Sequence, residues 1–459
     1  MDARPTSRKA TQGARGTSGA RGANSARSAD GARSTLRAPY LLAALCLLAA
    51  PAALVAQRPP RPMRPATAPK PASAAPAASA ATAPAPPTST YWVYVGAESA
   101  DKIHRVRFGP SGTAVEKTIP IGELAAEMEG PHGLQVSPDG KYLFMTTGHG
   151  TPDGKLWKYE LGPDTVVGPS ILLGKFPASI DITPDGLYTF SANFNLHGEM
   201  VPSSMSVVYT RTMTEVAQVE TCTMPHGSRI DPSGAMQYSG CMMDDQLVEI
   251  STSTFKVTRR FALARGKEGP IAVAAAGHDM HAMHAAGAAA KGDSAPSATH
   301  QMDASQGHGV SMSATCSPTW AQPSASGASV FVTCNKADEI LEIDRNSWSL
   351  ARRIKTGRGP YNLAVTGDGR LLVATLKQGA AVEVYDLAAG KSIAQIKTST
   401  TVAHGVTISP DSRYAFVSSE GVGAAPGKVD VIDLQALAKV GTADVAQQAS
   451  GIAFWRMSR

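Results

Sequence analysis

Three histidines stand in nearly the same short phrase, which is Pro-His-Gly at two positions and Ala-His-Gly at the third: His132, His226 and His404. Neutral imidazole is the most frequent metal ligand in proteins, and three imidazole nitrogens can hold copper or zinc while one coordination position stays open. The alternative is that each histidine belongs to a repeat and hydrogen-bonds its neighbouring structure. No H-x-H or H-x-x-H pair supports ligation here. These residues form a metal site only if the fold brings three distant segments together.

A second group of candidate ligands lies within one segment, residues 266–312. This segment holds five of the eleven histidines, and His278, His281 and His284 follow an H-x-x-H-x-x-H spacing. Four methionines accompany them, and imidazole together with thioether suits copper, with methionine favouring Cu(I). The Ala/Gly/Ser-rich flanks indicate a surface loop, which favours capture or delivery of copper or zinc over catalysis. Adventitious metal binding is the alternative.

The chain that must position these residues repeats itself about every 45 residues beyond Tyr91. Each repeat has a turn between two short apolar strands, then an alternating strand such as KLWKYEL and a fourth, less regular one. Four strands per period are typical of a β-propeller blade. The six turns are Pro138-Asp139-Gly140, Pro184-Asp185-Gly186, Pro232-Ser233-Gly234, Pro323 to Gly327, Gly367-Asp368-Gly369 and Pro410-Asp411-Ser412.

The two ends of the repeat region complete one further blade. Residues 91–107 match the second and third strands of a blade without its first strand, and residues 451–456 match a first strand with nothing after it. Pairing them closes the ring and leaves no free sheet edge. The sequence therefore predicts an all-β fold: a seven-bladed β-propeller of four-stranded blades over 91–459, with 266–312 as a loop insertion.

Two phrases carry a resemblance to a known family: GPHGLQVSPDGKYLFMT at 130–146 and AHGVTISPDSRYAFVS at 403–418. They resemble the YVTN or YncE-type seven-bladed propellers, close to the lactonase-like group. The resemblance spans about four-fifths of the chain and is specific for fold. It is weak for function, because related propellers include binding proteins, sugar lactonases and metal enzymes.

A propeller places the starts of the innermost strands and the loops between second and third strands at one face, around the mouth of the axial channel. His132, His226 and His404 begin innermost strands in blades two, four and seven. We therefore expect them to meet at this mouth, with a ring of polar candidate ligand-binding residues around them. These residues are His149, Asn193, His197, Glu199, Asp244, Tyr361 and Glu420.

Four cysteines lie in the repeat region: Cys222, Cys241, Cys316 and Cys334. An even number in an exported chain favours disulfides. We expect the pairs Cys222–Cys241 and Cys316–Cys334, each joining the first and second strands of one blade. Thiolate coordination of copper or zinc is the alternative. There is no C-x-x-C-H, the signature of a covalent c-type haem.

The N-terminal region explains the basic composition of the chain, whose net charge is +6. Residues 1–90 carry 12 Lys and Arg against two acidic residues, which leaves 31 basic and 35 acidic residues in 91–459. Residues 1–56 predict a disordered basic leader followed by a signal peptide. The alternative is an uncleaved N-terminal anchor that holds the protein at the membrane, on the side away from the cytoplasm. Residues 57–90 form a Pro/Ala-rich linker. We therefore expect a periplasmic or secreted protein.

Three classes of function fit this organisation. The first is an exported propeller that binds a small molecule, a metal (copper or zinc) or an envelope protein partner at the channel face. The second is an enzyme, either a lactonase-like hydrolase or a copper-dependent oxidase resembling methanethiol oxidase and the selenium-binding proteins, with Glu199, Asp244 or Glu420 as base. The third is an interaction scaffold. An acidic propeller gives no support for nucleic-acid binding, and a membrane contact is expected only through the N-terminal segment.

Overall fold

The computed structural model describes residues 84–123, 126–149, 153–272 and 314–458. Within these ranges the chain forms seven antiparallel sheets arranged as the blades of a propeller. The only helix there is a single 3₁₀ turn, Glu98–Ala100. No helix in the same ranges is long and apolar enough to cross a membrane. The seven-bladed all-β fold predicted from the repeat is confirmed.

The blades follow one another along the chain, and blades 2 to 7 each run from an innermost to an outermost strand. Blade 1 contains β1 (Thr90–Ala97), β2 (Lys102–Gly109) and β3 (Gly112–Pro120). Blade 2 contains β4 (Pro131–Val136), β5 (Tyr142–Thr147), β6 (Lys155–Glu160), β7 (Thr165–Val166) and β8 (Ile171–Leu172). Blade 3 contains β9 (Pro177–Ile182), β10 (Tyr188–Asn193), β11 (Pro202–Tyr209) and β12 (Thr214–Thr223).

The remaining blades have the same order. Blade 4 contains β13 (Pro225–Ile230), β14 (Met236–Cys241), β15 (Gln246–Ser251), β16 (Lys256–Ala262) and β17 (Gly269–Ile271). Blade 5 contains β18 (Pro318–Pro323), β19 (Ser329–Cys334), β20 (Glu339–Asp344) and β21 (Ser349–Lys355). Blade 6 contains β22 (Pro360–Val365), β23 (Leu371–Leu376), β24 (Ala381–Asp386) and β25 (Lys391–Lys397). Blade 7 contains β26 (Val402–Ile408), β27 (Tyr414–Glu420), β28 (Gly427–Asp433) and β29 (Ala438–Val445), and β30 (Ala449–Ser458) follows it.

The last strand of the chain completes the first blade. β30 pairs antiparallel with β1, so the sheet order of blade 1 is β3-β2-β1-β30. Register partners include Tyr94 with Ala453 and Val95 with Ile452. The predicted closure of the ring by the two ends of the chain is thereby confirmed, and every innermost strand has a partner on its outer side.

The repeated turn holds the two inner strands of a blade in register. In blade 2 the Ser137 hydroxyl donates to Asp139 Oδ1 at 2.6 Å, and the Gly140 N–H donates to the Ser137 carbonyl at 2.8 Å. Gly140 has a φ of +69°, a left-handed conformation that glycine adopts without a steric cost. The same hydroxyl-to-aspartate bond recurs in blade 6, from Thr366 to Asp368 at 2.5 Å. The Pro-Asp-Gly phrase therefore encodes a turn.

The hydrophobic core lies between neighbouring blades. At the junction of blades 7 and 1, Tyr91 and Phe108 pack against Tyr414 with ring centroids 5.1 and 5.0 Å away in edge-on geometry. Phe416 is fully buried in the same cluster. Since similar clusters fill the other junctions, the innermost strands are held rigidly around the axis.

Two disulfides form with the predicted pairing, Cys222–Cys241 and Cys316–Cys334. The predicted placement of the first bridge was wrong. Cys222 lies in β12, the outermost strand of blade 3, and Cys241 ends β14 in blade 4. The bridge therefore ties two blades together, because the connection to the next blade begins only after Thr223. Cys316 stands just before β18 and bonds to Cys334 at the end of β19 within blade 5.

Several predicted segments lie outside the described residues. They are the basic leader and signal or anchor at 1–56, most of the 57–90 linker, and most of the 266–312 insertion, including His278, His281 and His284. The described start of the insertion contains β17, which pairs with β16 and adds a fifth strand to blade 4. The insertion thus begins as an ordered edge strand.

Candidate functional site at the channel mouth

Three imidazoles meet at one end of the axial channel. His132 near the start of β4 has its ring centroid 5.4 Å from that of His404 in β26 and 6.3 Å from that of His226 in β13. Each of the three residues is at most 7% exposed. They come from blades 2, 4 and 7, so the structure brings together residues that lie up to 272 positions apart in the chain. We call this group the histidine ring.

The blades orient two of these imidazoles by the same hydrogen bond. His132 Nδ1 lies 2.6 Å from the Ala178 carbonyl, and His226 Nδ1 lies 2.8 Å from the Thr319 carbonyl, each at the start of the next blade. Because a carbonyl only accepts, the proton must be on Nδ1. The Nε2 atom of each neutral ring then carries a lone pair that can accept a hydrogen bond or bind a metal.

The third imidazole is placed beside a pair of charges. His404 interacts with the backbone of Ser450 in the equivalent position, although its Nδ1 forms no well-aligned hydrogen bond within the described chain. Its Nε2 lies 3.9 Å from Glu420 Oε1, and Lys377 Nζ lies 3.2 Å from the same oxygen. Lys377 Nζ is also 4.4 Å from the centre of the Tyr361 ring. A fixed ammonium group therefore stands next to the histidine ring.

Burial and charge keep two of the imidazoles neutral, those of His226 and His404. Burial, with the neighbouring His132 and Lys377, lowers the pKa of His226 to about 3. Burial and Lys377 also lower the pKa of His404 well below its usual value. For Lys377, burial lowers the pKa, but Tyr361 and Glu420 outweigh it, and the pKa is raised overall. At neutral pH the mouth thus presents neutral acceptor nitrogens beside a charged donor.

Tyr361 occupies one of the free imidazole nitrogens. Its hydroxyl donates to His226 Nε2 at 3.0 Å, and its ring centroid lies 4.8 Å from that of His404. Burial raises the pKa of the Tyr361 phenol, so it remains a hydrogen-bond donor. Within the described chain, the Nε2 of His132 has no comparable donor. The ring is therefore partly satisfied by protein and partly open.

Glu98 is a member of the site that the sequence reasoning missed. It is 2% exposed, and its carboxylate accepts hydrogen bonds from His149 Nε2 and, at 3.0 Å, from Gln448 Nε2. Burial raises its pKa, but His132, His149 and Lys377 outweigh it, so the pKa is lowered overall. Glu98 lies between β1 and β2, the second and third strands of blade 1. Glu98 therefore stands in a loop between second and third strands, the same kind of loop in which the sequence analysis chose His149 and Glu420.

Aromatic side chains line one wall of the mouth. The Phe176 ring lies 5.3 Å from His132, 4.8 Å from His149 and 5.8 Å from His197, measured between ring centroids. On the next blade Phe194 lies 4.8 Å from His226. These rings form an apolar surface beside the polar groups, an arrangement typical of small-molecule sites.

The model of the YNCE-like beta-propeller family matches residues 169–453, which is more than half of the chain. The chain belongs to this family. No curated protein matches it. The membership confirms the family resemblance inferred from the repeated phrases.

The solved structures that resemble this YNCE-like propeller include the following two. The periplasmic gluconolactonase PpgL from Pseudomonas aeruginosa has a TM-score of 0.58 at 15% identity, covering 80% of this chain and 99% of that one. A functionally unknown protein from Desulfotomaculum acetoxidans DSM 771 has a TM-score of 0.56 at 14% identity, covering 79% of this chain and 98% of that one. At these identities the likeness establishes the fold alone.

Three predicted ligand-binding residues of this YNCE-like propeller make their contacts away from the histidine ring. The Asn193 amide donates to the Ser204 and Ser206 hydroxyls inside blade 3, both at 2.9 Å. Asp244 accepts the Thr223 N–H at 2.8 Å. Glu199 is exposed, and its carbonyl accepts from Asn195 at 2.9 Å. His149, Tyr361 and Glu420, in contrast, lie among the groups already described, and His197 stands exposed at the aromatic wall.

The side chains at the mouth are only partly those expected of a copper or zinc site. Among the described residues, no group of three or more His, Cys, Asp or Glu side chains has the arrangement of a metal site. The Lys377 ammonium also interacts unfavourably with positive charge at His226 and His404. The anchored Nδ1 atoms of His132 and His226 nevertheless resemble the outer contacts of metal-bound histidines, which donate their second N–H to a carbonyl or carboxylate.

Proposed function

We propose that the channel mouth binds a small, oxygen-rich molecule that carries hydroxyl groups and a carbonyl or carboxylate. One observation carries the proposal: neutral imidazole nitrogens that can only accept hydrogen bonds stand beside the Lys377 ammonium, which can only donate them. Hydroxyl groups of a ligand would donate to His132 Nε2 and His404 Nε2. A carbonyl or carboxylate oxygen would accept from Lys377.

The wall and the floor of the mouth suit such a molecule. Phe176 packs behind His132 as an apolar backing, while the partly exposed Glu420 supplies a further acceptor for hydroxyl groups. The gluconolactonase among the structural neighbours is named for a substrate of this chemical class, which supports the proposal by analogy of fold alone. Hydrolysis of a lactone at this mouth is the enzymatic form of the same proposal.

Copper or zinc is a second candidate occupant of the histidine ring. The observation in its favour is the Nδ1 anchoring of His132 and His226, which directs both Nε2 atoms away from the backbone, although the Tyr361 hydroxyl would have to leave His226 Nε2 before that nitrogen could ligate. Against it stands the neighbouring charge of Lys377. A metal and an oxygen-rich molecule are therefore expected to compete for the same nitrogens, and the two are separable by experiment.

We also propose that the protein acts outside the cytoplasm. Two disulfides between buried cysteines support this location, because such bonds persist in oxidising compartments. An envelope protein could use the same face of the propeller as a platform. The acidic balance of residues 91–459 disfavours nucleic acid as a partner.

The test is calorimetric titration of the purified protein with gluconate and with fresh glucono-δ-lactone, repeated in two matched variants. Lys377→Met removes the ammonium at the mouth, and Lys256→Met removes one from the exposed edge of β16. We expect binding that Lys377→Met weakens about tenfold or more and Lys256→Met leaves unchanged. Binding that is absent, or equally strong in both variants, would contradict the proposal.

Two further arms separate the alternatives. Lactone opening above the spontaneous rate, followed in a pH-stat, would identify a hydrolase. Titration with Zn²⁺ or Cu²⁺, compared between the unsubstituted protein and His132→Ala, tests the metal. Metal binding that His132→Ala abolishes, combined with no binding of gluconate or lactone, would replace the small-molecule proposal by the metal site.

A further inference from the structure

A small space lies in the channel beside the histidine ring. It measures about 20 Å³, enough for one water molecule or one monatomic ion. Its wall includes His132 and His404 from the ring, together with Trp320, Asn362 and Arg229. We call it the inner cavity. None of the contacts proposed for the ligand at the mouth uses Arg229 or Trp320.

Arg229 places a permanent positive charge against this cavity. Its guanidinium stacks over the Trp320 ring at 4.6 Å from the ring centre, and one of its N–H groups donates to the Ser228 carbonyl at 2.9 Å. A guanidinium has five N–H donors. Within the described chain, no carboxylate forms an ion pair with Arg229.

Asp181 is the acidic residue whose charge acts on Arg229, but both of its carboxylate oxygens already accept hydrogen bonds from backbone N–H groups. Oδ1 accepts the Ile182 N–H at 2.9 Å, and Oδ2 accepts the Ile230 N–H at 2.7 Å. Burial raises the pKa of Asp181 and lowers that of Arg229, although each charge partly favours the other. The Arg229 side chain is only half-buried, and a guanidinium with free N–H donors in such a place attracts an anion.

Two other polar groups on the same wall have no partner among the described residues. One is the indole N–H of Trp320, a donor on a residue that is only 6% exposed. Asn362 Oδ1 is likewise unpaired in a residue 5% exposed, and a rotated amide would turn its N–H₂ to the same place. The Trp320 N–H and the remaining N–H groups of Arg229 thus lack a protein acceptor among the described residues.

We propose that the inner cavity binds a chloride-sized anion, held by the Arg229 guanidinium and the Trp320 indole N–H. The accessible space of about 20 Å³ is small, which favours a monatomic anion such as chloride or bromide over sulfate, phosphate or a carboxylate group. The anion would neutralise the guanidinium beside the imidazoles, so the inner site is separate from the proposed ligand at the mouth.

The test is the line width of the ³⁵Cl nuclear resonance in solutions of the full chain, which broadens when chloride exchanges with a bound site. We expect excess broadening that bromide removes and sulfate at equal ionic strength does not. Arg229→Gln should abolish it, corresponding to a loss of affinity of about tenfold or more. The matched control is Arg260→Gln on β16, whose guanidinium makes one hydrogen bond of 3.4 Å to Gln246, and it should broaden the line as the unsubstituted protein does.

A second variant keeps the proposal testable if Arg229→Gln does not fold. Trp320→Phe keeps the guanidinium and an aromatic ring but removes the N–H, and it should weaken chloride several-fold. Crystals soaked in bromide should show one anomalous peak in contact with Arg229. Absence of bromide-sensitive broadening in the unsubstituted protein, or a water molecule in place of the anomalous peak, would overturn the inference.

Discussion

Acidification should destabilise this propeller through one buried histidine at its closure, His104 in β2. The Ala446 N–H donates to His104 Nε2 at 3.1 Å, and His104 Nδ1 pairs with the Thr118 hydroxyl at 2.9 Å. Because the amide of Ala446 can only donate, Nε2 must be unprotonated in the folded state. Burial, with Lys102 nearby, lowers the pKa of His104 to about 4. A proton on Nε2 would break the bond that links blade 1 to the end of blade 7.

The magnitude follows from the difference in pKa between the unfolded and folded states. An unfolded histidine titrates near 6.5 and His104 near 4, so between these values the unfolded state binds more protons. Stability therefore falls as the pH falls through this window. Each pH unit is worth about 1.4 kcal/mol for one group, so His104 should cost about 3 kcal/mol between pH 7 and pH 4.

The assay is urea unfolding followed by tryptophan fluorescence at several pH values between 7 and 4.5, with disulfides intact. His104→Gln supplies the control, since its amide oxygen can accept the Ala446 N–H and its nitrogen can donate to Thr118, but it does not titrate. The histidine ring contributes equally to both proteins and cancels in the comparison. We expect His104→Gln to lose about 2 to 3 kcal/mol less than the unsubstituted protein on acidification. Parallel stability curves across this range would refute the reasoning.

Three further outcomes are expected. Replacing Cys222 and Cys241 by serine should lower the free energy of unfolding by about 3 kcal/mol for a loop of 19 residues, measured by urea unfolding, and equal stability would contradict a constraining bridge. Gly451→Ala should destabilise by more than about 2 kcal/mol because its Cβ would come within 2.0 Å of the His132 carbonyl oxygen, and an unchanged melting temperature would disprove that contact. Asp245→Asn should cost about 1 to 3 kcal/mol, since its carboxylate accepts three successive backbone N–H groups at the start of blade 5, and calorimetric melting checks this.

The sequence was sufficient to predict the ring of blades and the meeting of three histidines. Both predictions depend on the repeat of about 45 residues, and a repeat can be recognised without knowing any side-chain contact. It was insufficient for Cys222, because the boundary between β12 and the next blade lies only two residues away, at the limit of what strand patterns resolve.

Two other members of the site were missed for different reasons. Glu98 lies in a loop between second and third strands, the kind of loop that was searched, but it belongs to a short 3₁₀ turn without a counterpart in the described parts of the other blades, so no repeated phrase marks it. Arg229 stands in an innermost strand at a position where neighbouring blades carry different residues. Its importance depends on the absence of an ion-pair partner among the described residues, which is a property of three-dimensional packing.

The closure of blade 1 also has a consequence for synthesis. β1 ends at Ala97 and its partner β30 begins at Ala449, so about 350 residues must be made before the two can pair. At about 5 to 20 residues per second, the ribosome needs roughly 20 to 70 seconds for this stretch. During that time β1 presents an open edge that could join a strand of another nascent chain. Blade 1 can therefore be completed only after the rest of the ring has been made, and until then β1 needs protection from pairing with another chain.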